Sequence, residues 1–458
     1  MNVVILGGGV SGISAAFLLL QKSSDPDLKV DLIEKRSFVG GLCHTIDMEG
    51  FRFDLGPHNI HSTDVWFDEL MRALLGEQYR QRSYKAQVVF RDRFVPYPME
   101  GIDVLKGIPL GTSLSCASSF LWSRVESLFH KWNDDSFQSF IVNRFGRKMY
   151  NIFFGPFTEK TWGVPGSELS SDLGKQRVGV FTLWDLFKRT VLGIKPNASI
   201  TGEEDPFLNQ RTYYPDNGSG DVISALLAPC LRDPRFRLHS STEVRAIEPD
   251  QEGYLVHAGD LELKSDYLLS SIALTDLLQM LQLPDPGLSY ISTRFILLSL
   301  AQESVFGDTP WVYFSDNKTL FNRVSEPRNM SKLMAPPGKT SLCVEFTTTG
   351  IDKIWKASEG TILDWTISGL KQYGLLKPDT IENCRVIDWE NTYPLRRVDY
   401  KASVASAFHG LGRHPRIIPF GRLGRFEYLN MDHCILDARK VVTELTKRID
   451  NNQTTGHL

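Results

Sequence analysis

MNVVILGGGVSGISAAFLLL, residues 1–20, is the stretch from which the rest of the chain is read. Met1 to Leu6 is rich in β-forming residues, Gly7-Gly8-Gly9-Val10-Ser11-Gly12 follows, and Ile13 to Gln21 is rich in alanine and leucine. This is G-x-G-x-x-G between a strand and a helix, the context in which that spacing binds a dinucleotide. Gly7 permits a tight turn, Gly9 lets a pyrophosphate approach the backbone, and Gly12 allows the helix to pack closely on the strand. The helix start, at Val10 and Ser11, offers free N–H groups and the positive end of the helix dipole to phosphate oxygens. A second strand, KVDLI from Lys29 to Ile33, ends at Glu34 and Lys35. An acid there binds a ribose hydroxyl and disfavours a 2'-phosphate, so NAD and FAD both remain open while a tightly held NADP does not fit. A glycine turn that binds nothing is the plainer alternative, and the agreement of strand, glycines, helix, second strand and acid argues against it.

The apolar start lacks the basic flank and unbroken apolar stretch of a signal peptide. Elsewhere apolar runs are broken, as Arg294 breaks SYISTRFILLSL, and none reaches the roughly 18 residues of a membrane-crossing helix. With 458 residues, 42% hydrophobic and 23% charged, the chain suits a globular protein of about two to four units. A net charge of -3 without blocks of like charge excludes a nucleic-acid tail and a polybasic anchor, leaving a small molecule as the expected partner. Six scattered cysteines without a C-x-x-C pair point away from zinc knuckles and disulfides, and toward a reducing cytoplasm. Serine-hydrolase, zincin and P-loop motifs are absent from the sequence.

After Glu34 comes KRSFVGGLCHTIDMEGFRFDLGPHNIHS. Its G-G-x-x-x-T followed by G-F-x-F-D-x-G-x-H resembles the FAD-binding start of the amine oxidase and protoporphyrinogen oxidase-like superfamily, and G-P-H-x-x-H-[ST] is similar to UDP-galactopyranose mutases. Three later blocks extend the resemblance: FGRKMYNIFFGPFTEKTWGVPGSELSSDLGKQR from Phe145, FNRVSEPRNMS from Phe321, and GRLGRFEYLNMDHCILDARK from Gly421. The resemblance implies non-covalent FAD, with Gly40, Gly41 and Leu42 lining it and Gly56 and His58 beneath the ring. Val244 would lie on the adenine side, and Gly421, Arg422, Met431 and Asp432 at the closing helix. It also implies substrate-facing Arg177, Arg323, Trp162 and Tyr393, with NADPH or NADH as an external reductant. Tyrosines usual in the mutases are replaced by Phe157, Phe426 and Leu429, which weakens the case for UDP-galactose itself.

Two guanidinium groups suit a diphosphate, although an isolated arginine is more often an ion-pair partner. Trp162 can stack on a ring or pack in the core, and Tyr393 can donate a hydrogen bond or simply precede the Pro394 turn. His58 and His61 lack the further ligands of a metal site. Beside a flavin they become shelf residues, with His61 the candidate for affecting chemistry.

The expected fold is α/β: a discontinuous Rossmann-like FAD-binding domain (1–64, 212–275 and 404–458), a mostly helical insertion (65–211) and an α+β part of the substrate domain (276–403). The leading expectation for function is a flavoenzyme acting on a nucleotide-sugar or similar anion at flavin N5. An amine or porphyrinogen-type oxidase is the alternative, and a non-catalytic FAD-stabilised assembly protein a second one. Oligomeric state is not legible.

Overall fold

The computed structural model describes residues 1–82, 86–90, 92–97, 110–129, 134–177, 212–251 and 253–455. Its nucleotide-binding half is a five-stranded parallel sheet in the order Phe236–His239, Lys29–Ile33, Asn2–Leu6, Tyr267–Ser270, Ile417–Pro419. The strands come from three separated stretches of chain. Val3, Val4, Ile5 and Leu6 are all buried, as expected for a parallel strand covered on both faces. The chain leaves the first strand in the middle of the sheet, where neighbouring strands connect in opposite directions and a crevice opens at their carboxyl ends.

The helix Val10–Lys22 buries every residue from Ser11 to Leu20. It has no polar face because it lies between the closing helix Met431–Thr455 and the helix Gly220–Arg232. An antiparallel meander, Val244–Asp250, Gly253–Ala258 and Leu261–Ser265, covers the other side of the sheet through Val244, Ile247, Tyr254 and Val256.

The second half is built on a seven-stranded sheet in the order Ile381–Pro394, Tyr290–Leu300, Thr340–Thr348, Arg323–Ser325, Trp311–Phe314, Ala86–Phe90, Arg93–Tyr97. All eleven residues of Tyr290–Leu300 are buried. Arg294, the charge that interrupts this apolar run, is held by Asp388 at 2.6 Å and by the carbonyl oxygens of Ile354 and Ala357 at 3.0 and 2.6 Å.

Two boundaries differ from the sequence reading. The helix Val65–Leu75 and Tyr79 bury Phe67, Met71 and Leu75 in the nucleotide-binding core, so that unit runs past residue 64. The stretch expected to be mostly helical also contributes the strands Tyr79–Arg82, Ala86–Phe90 and Arg93–Tyr97. The helical reading does describe Leu110–Phe129, Phe137–Phe145, Gly155–Trp162 and Ser171–Arg177. Residues 178–211, also covered by that expectation, lie outside the described residues.

Candidate active site

The glycine turn forms a cradle whose shape is set by missing side chains. Gly7 has φ +95°, and a Cβ on Gly12 would drive into the Gly7 carbonyl oxygen, so both positions require glycine. A Cβ on Gly9 would meet nothing within 4 Å, so the turn is open on that side. Around that opening, Gly40 donates its N–H to Gly8 O at 2.7 Å, and a Cβ on Gly41 would come within 3.2 Å of Gly9 Cα. Gly421, with φ +72°, closes against Ser11 and donates to Asp437 at 2.8 Å. Three segments far apart in sequence therefore meet at one helix N-terminus, whose first amides have no partner within the helix.

Glu34 stands at the end of the second strand, where its carboxylate accepts from the N–H groups of Gly8 at 2.8 Å and Arg36 at 2.9 Å. It thus fixes the turn while keeping lone pairs for a ribose hydroxyl. The neighbouring Thr242 N–H donates to Glu34 O at 3.0 Å, which brings the start of the Val244 strand to the same end of the cradle. Lys35 instead points outward and faces Glu390 at 3.7 Å.

Asp54 holds the next part together. Its buried carboxylate accepts from Tyr214 Oη at 2.6 Å, Thr45 Oγ1 at 2.6 Å and Ser219 N at 3.0 Å. Burial raises its pKa above the usual carboxylate range, against the opposing effect of these donors. The F-D-x-G segment is thereby fastened to the returning strand Thr212–Pro215 and to the start of the helix Gly220–Arg232.

Gly56 then turns the chain at φ +90°, where a Cβ would lie 3.1 Å from both Arg323 Nη2 and Glu345 Oε1. Arg323 is paired in a bidentate manner with Glu345, at 2.6 and 2.7 Å. His58 Nδ1 lies 3.0 Å from Gly56 O, and a carbonyl only accepts, so this nitrogen carries the proton and Nε2 presents a lone pair. Burial, then the cations of Arg422 and Arg323, push the His58 pKa down to about 3. His61 Nδ1 meets Thr212 Oγ1 at 3.1 Å, and burial lowers its pKa against the pull of Asp432.

Arg422 Nε donates to Leu429 O at 2.6 Å, and its guanidinium carbon lies 4.8 Å from the Tyr393 ring and 5.7 Å from the Tyr428 ring. Tyr393 and Tyr428 stack at 5.3 Å. Among the described residues no carboxylate pairs with Arg422. The cluster therefore contains one neutralised ion pair and one uncompensated cation, beside two tyrosines and a neutral histidine.

The structure brings Arg323, Arg422, Tyr393, His58 and Gly56 together. Met431 and Asp432 are buried in the first turn of the closing helix, with Asp432 in the electrostatic surroundings of His61. Leu42 is half-buried against the apolar cluster that contains Phe53, Leu55 and Phe295. Trp162 is 4% exposed and edge-on to Tyr393 at 6.4 Å, so it supports that ring instead of presenting a free face. Phe426 is buried in the core edge-on to Tyr290 at 5.1 Å. Phe157 does approach, edge-on to Tyr313 at 5.7 Å. Arg177 ends a short helix, and its side chain lies outside the described residues.

Sequence reasoning passed over Glu345, Tyr428 and Tyr313. Glu345 had a signal, being the one charge in the otherwise uncharged strand TSLCVEFTT, where burial demands a partner. Tyr428 occupies the tyrosine position of the closing G-R-x-G-x-x-x-Y block, but its stacking on Tyr393 depends on two segments meeting.

Residues 5–74 match the family model of an NAD(P)-binding Rossmann-like domain. A 4,4'-diaponeurosporene oxygenase from Staphylococcus haemolyticus is 46% identical over 56 residues, 12% of this chain and 10% of its own length. A carotenoid 3,4-desaturase from Haloarcula japonica is 37% identical over 79 residues, 17% of this chain and 15% of its own. These matches cover a small part of the curated relatives. Over nearly the whole chain the fold is that of a reduced UDP-galactopyranose mutase, with TM-score 0.82, 23% identity and coverage of 97% of this chain and 94% of that one. A putative protoporphyrinogen oxidase from Exiguobacterium sp. 255-15 gives 0.74, with 17% identity and coverage of 97% and 98%.

Proposed function

We propose, for a chain that has the fold of the FAD-dependent amine-oxidase superfamily, a flavoenzyme that holds FAD without a covalent bond and binds a small anionic substrate against the ring. The anion expected first is a nucleotide-sugar. The open side of Gly9, the paired turn Gly40–Gly41 and the closing residue Gly421 fit a dinucleotide pyrophosphate at the amides of Val10 and Ser11. When bound, FAD supplies a ring N5 able to accept a hydride or, once reduced, to attack an anomeric carbon.

The observation that carries the substrate reading is Arg422, a guanidinium without a carboxylate partner among the described residues and stacked on two tyrosines. A largely desolvated cation is costly unless an anion meets it. Tyr393 and Tyr428 lie against the Arg422 guanidinium with their rings. His58 stays unprotonated through the neutral range, so its Nε2 accepts a hydrogen bond and adds no charge. Arg323, locked by Glu345, orders the Gly56 turn and supplies shape more than net charge.

A second reading, hydride transfer from an oxidisable substrate, is favoured by that same neutralisation, because a single uncompensated cation among the described residues suits a singly charged anion better than a diphosphate. Two assays separate them. Reduced enzyme mixed anaerobically with UDP-galactose should isomerise it under the mutase reading; oxidised enzyme should bleach with substrate under the other. Protein purified gently and lacking flavin absorbance would overturn both.

A further inference from the structure

The helix Leu110–Phe129 reverses the usual pattern of a surface helix. Its inner side carries small and weakly polar residues. Cys116 and Ser123 are buried, Ser123 Oγ donates to Ser119 O at 2.9 Å, and Ser119 Oγ accepts from Lys148 N at 3.0 Å. The contact is close, since a Cβ on Gly146 would lie 2.8 Å from Phe120 N. The opposite side is apolar. Leu114, Leu121 and Val125 follow one another at spacings of seven and four residues, which aligns them on one face, and Trp122 stands beside them. In that order they are 64%, 64%, 47% and 70% exposed. Single exposed apolar side chains are ordinary, but four together on one helix face mark a contact surface.

We propose that this face rests on a lipid surface, with Leu114, Leu121, Trp122 and Val125 entering the outer acyl layer and nearby cations meeting anionic headgroups. The proposal does not rest on the flavin reading. Three observations choose a bilayer over a second copy of the chain. Arg124 on the helix, and Arg147 and Lys148 on the turn packed against it, are exposed, while Glu126 is the one acid of the helix. A two-fold contact between copies would bring these like charges together, whereas acidic headgroups complement them. Four side chains fall well short of the roughly 20–30 residues a side of a standard protein interface, whereas binding to a bilayer grows with each apolar side chain inserted. Trp122 joins an apolar ring to an N–H donor, which suits the boundary between acyl chains and headgroups. Among the described residues no helix is long and apolar enough to cross a membrane, so this one lies on the surface instead of spanning it.

The test is sedimentation of the full chain with vesicles of phosphatidylcholine alone and of phosphatidylcholine with phosphatidylglycerol. The chain should bind the mixed vesicles more tightly, and that binding should weaken as salt rises. Leu121→Ser and Trp122→Ser should each lower the partition into mixed vesicles roughly 10-fold, from the apolar area that no longer leaves water. Acyl-brominated lipid should quench the fluorescence of wild type more than that of Trp122→Phe. Because both positions are exposed, the serine variants should keep the urea midpoint of wild type. No binding to mixed vesicles, binding that neither substitution weakens, or a urea midpoint lowered by either one, as for a face covered from within the chain, would each overturn the proposal. A lipid-free dimer that both substitutions dissociate would also overturn it and assign the face to a second copy.

Discussion

Glu345→Gln is the perturbation that most directly tests how the site is built. Glu345 is 4% exposed and Arg323 17% exposed at their side chains, and two short charge-assisted hydrogen bonds join them. Glutamine keeps one acceptor and removes the charge, leaving the Arg323 guanidinium uncompensated in a setting where Gly56 and Tyr313 crowd it. Removing one partner of a buried pair costs about 3–5 kcal/mol, and the residual exposure of Arg323 places this case near 3. Replacing both residues, as Arg323→Met with Glu345→Met, removes the stranded charge, and stability should return to within about 1 kcal/mol of wild type. Urea unfolding followed by tryptophan fluorescence gives both values. A single variant costing under about 1 kcal/mol, or a double variant no better than the single, would show that the pair is not desolvated as described.

Arg422→Met should raise the stability of the flavin-free protein, since a largely desolvated cation without an acid disappears, while anion binding falls at least about 10-fold; isothermal titration with UDP checks the second part. His58 has a folded pKa of about 3 against an ordinary value of 6.5, so the unfolded chain binds the extra proton between those values. Stability relative to His58→Gln should therefore fall by about 1.4 kcal/mol for each pH unit below 6.5, and a flat difference from pH 6.5 to 4 would refute it. Lys160 donates to Asp316 O at 2.7 Å and Thr319 Oγ1 at 3.1 Å, and burial lowers its pKa to about 8 from 10.5. The unfolded chain then binds more protons between pH 8 and 10.5, so stability relative to Lys160→Met should rise across that window, as read from denaturation midpoints.

The nucleotide-binding half was legible because its determinants are local. Gly7 and Gly12 are required by a turn and a close approach between residues five apart, and Glu34 follows on the next strand. The helix Val65–Leu75 was placed in the wrong unit because its apolar face says that it is buried, not against what. The strands Ala86–Phe90 and Arg93–Tyr97 were missed for a related reason: they are short, and the hairpin they form joins the sheet through Trp311–Phe314, more than two hundred residues away from Ala86–Phe90.

The charge state of the site shows the same division. From sequence, Arg177 and Arg323 were a matched pair for a diphosphate and Arg422 an accessory to the cofactor. Strand pairing places Arg323 opposite Glu345, which turns a free cation into half of a neutral pair, while Arg422 meets, among the described residues, a backbone oxygen and two rings. Likewise His58 became a neutral acceptor only once burial and the guanidinium groups of Arg422 and Arg323 were in place, while burial lowers the His61 pKa against the pull of Asp432. The sequence by itself determined the cradle, because backbone conformations and side-chain volumes there are dictated within a few residues. Only the tertiary structure decided which charges survive, because the energy of a buried ion depends on partners that the fold, and not the order of residues, brings within hydrogen-bonding distance.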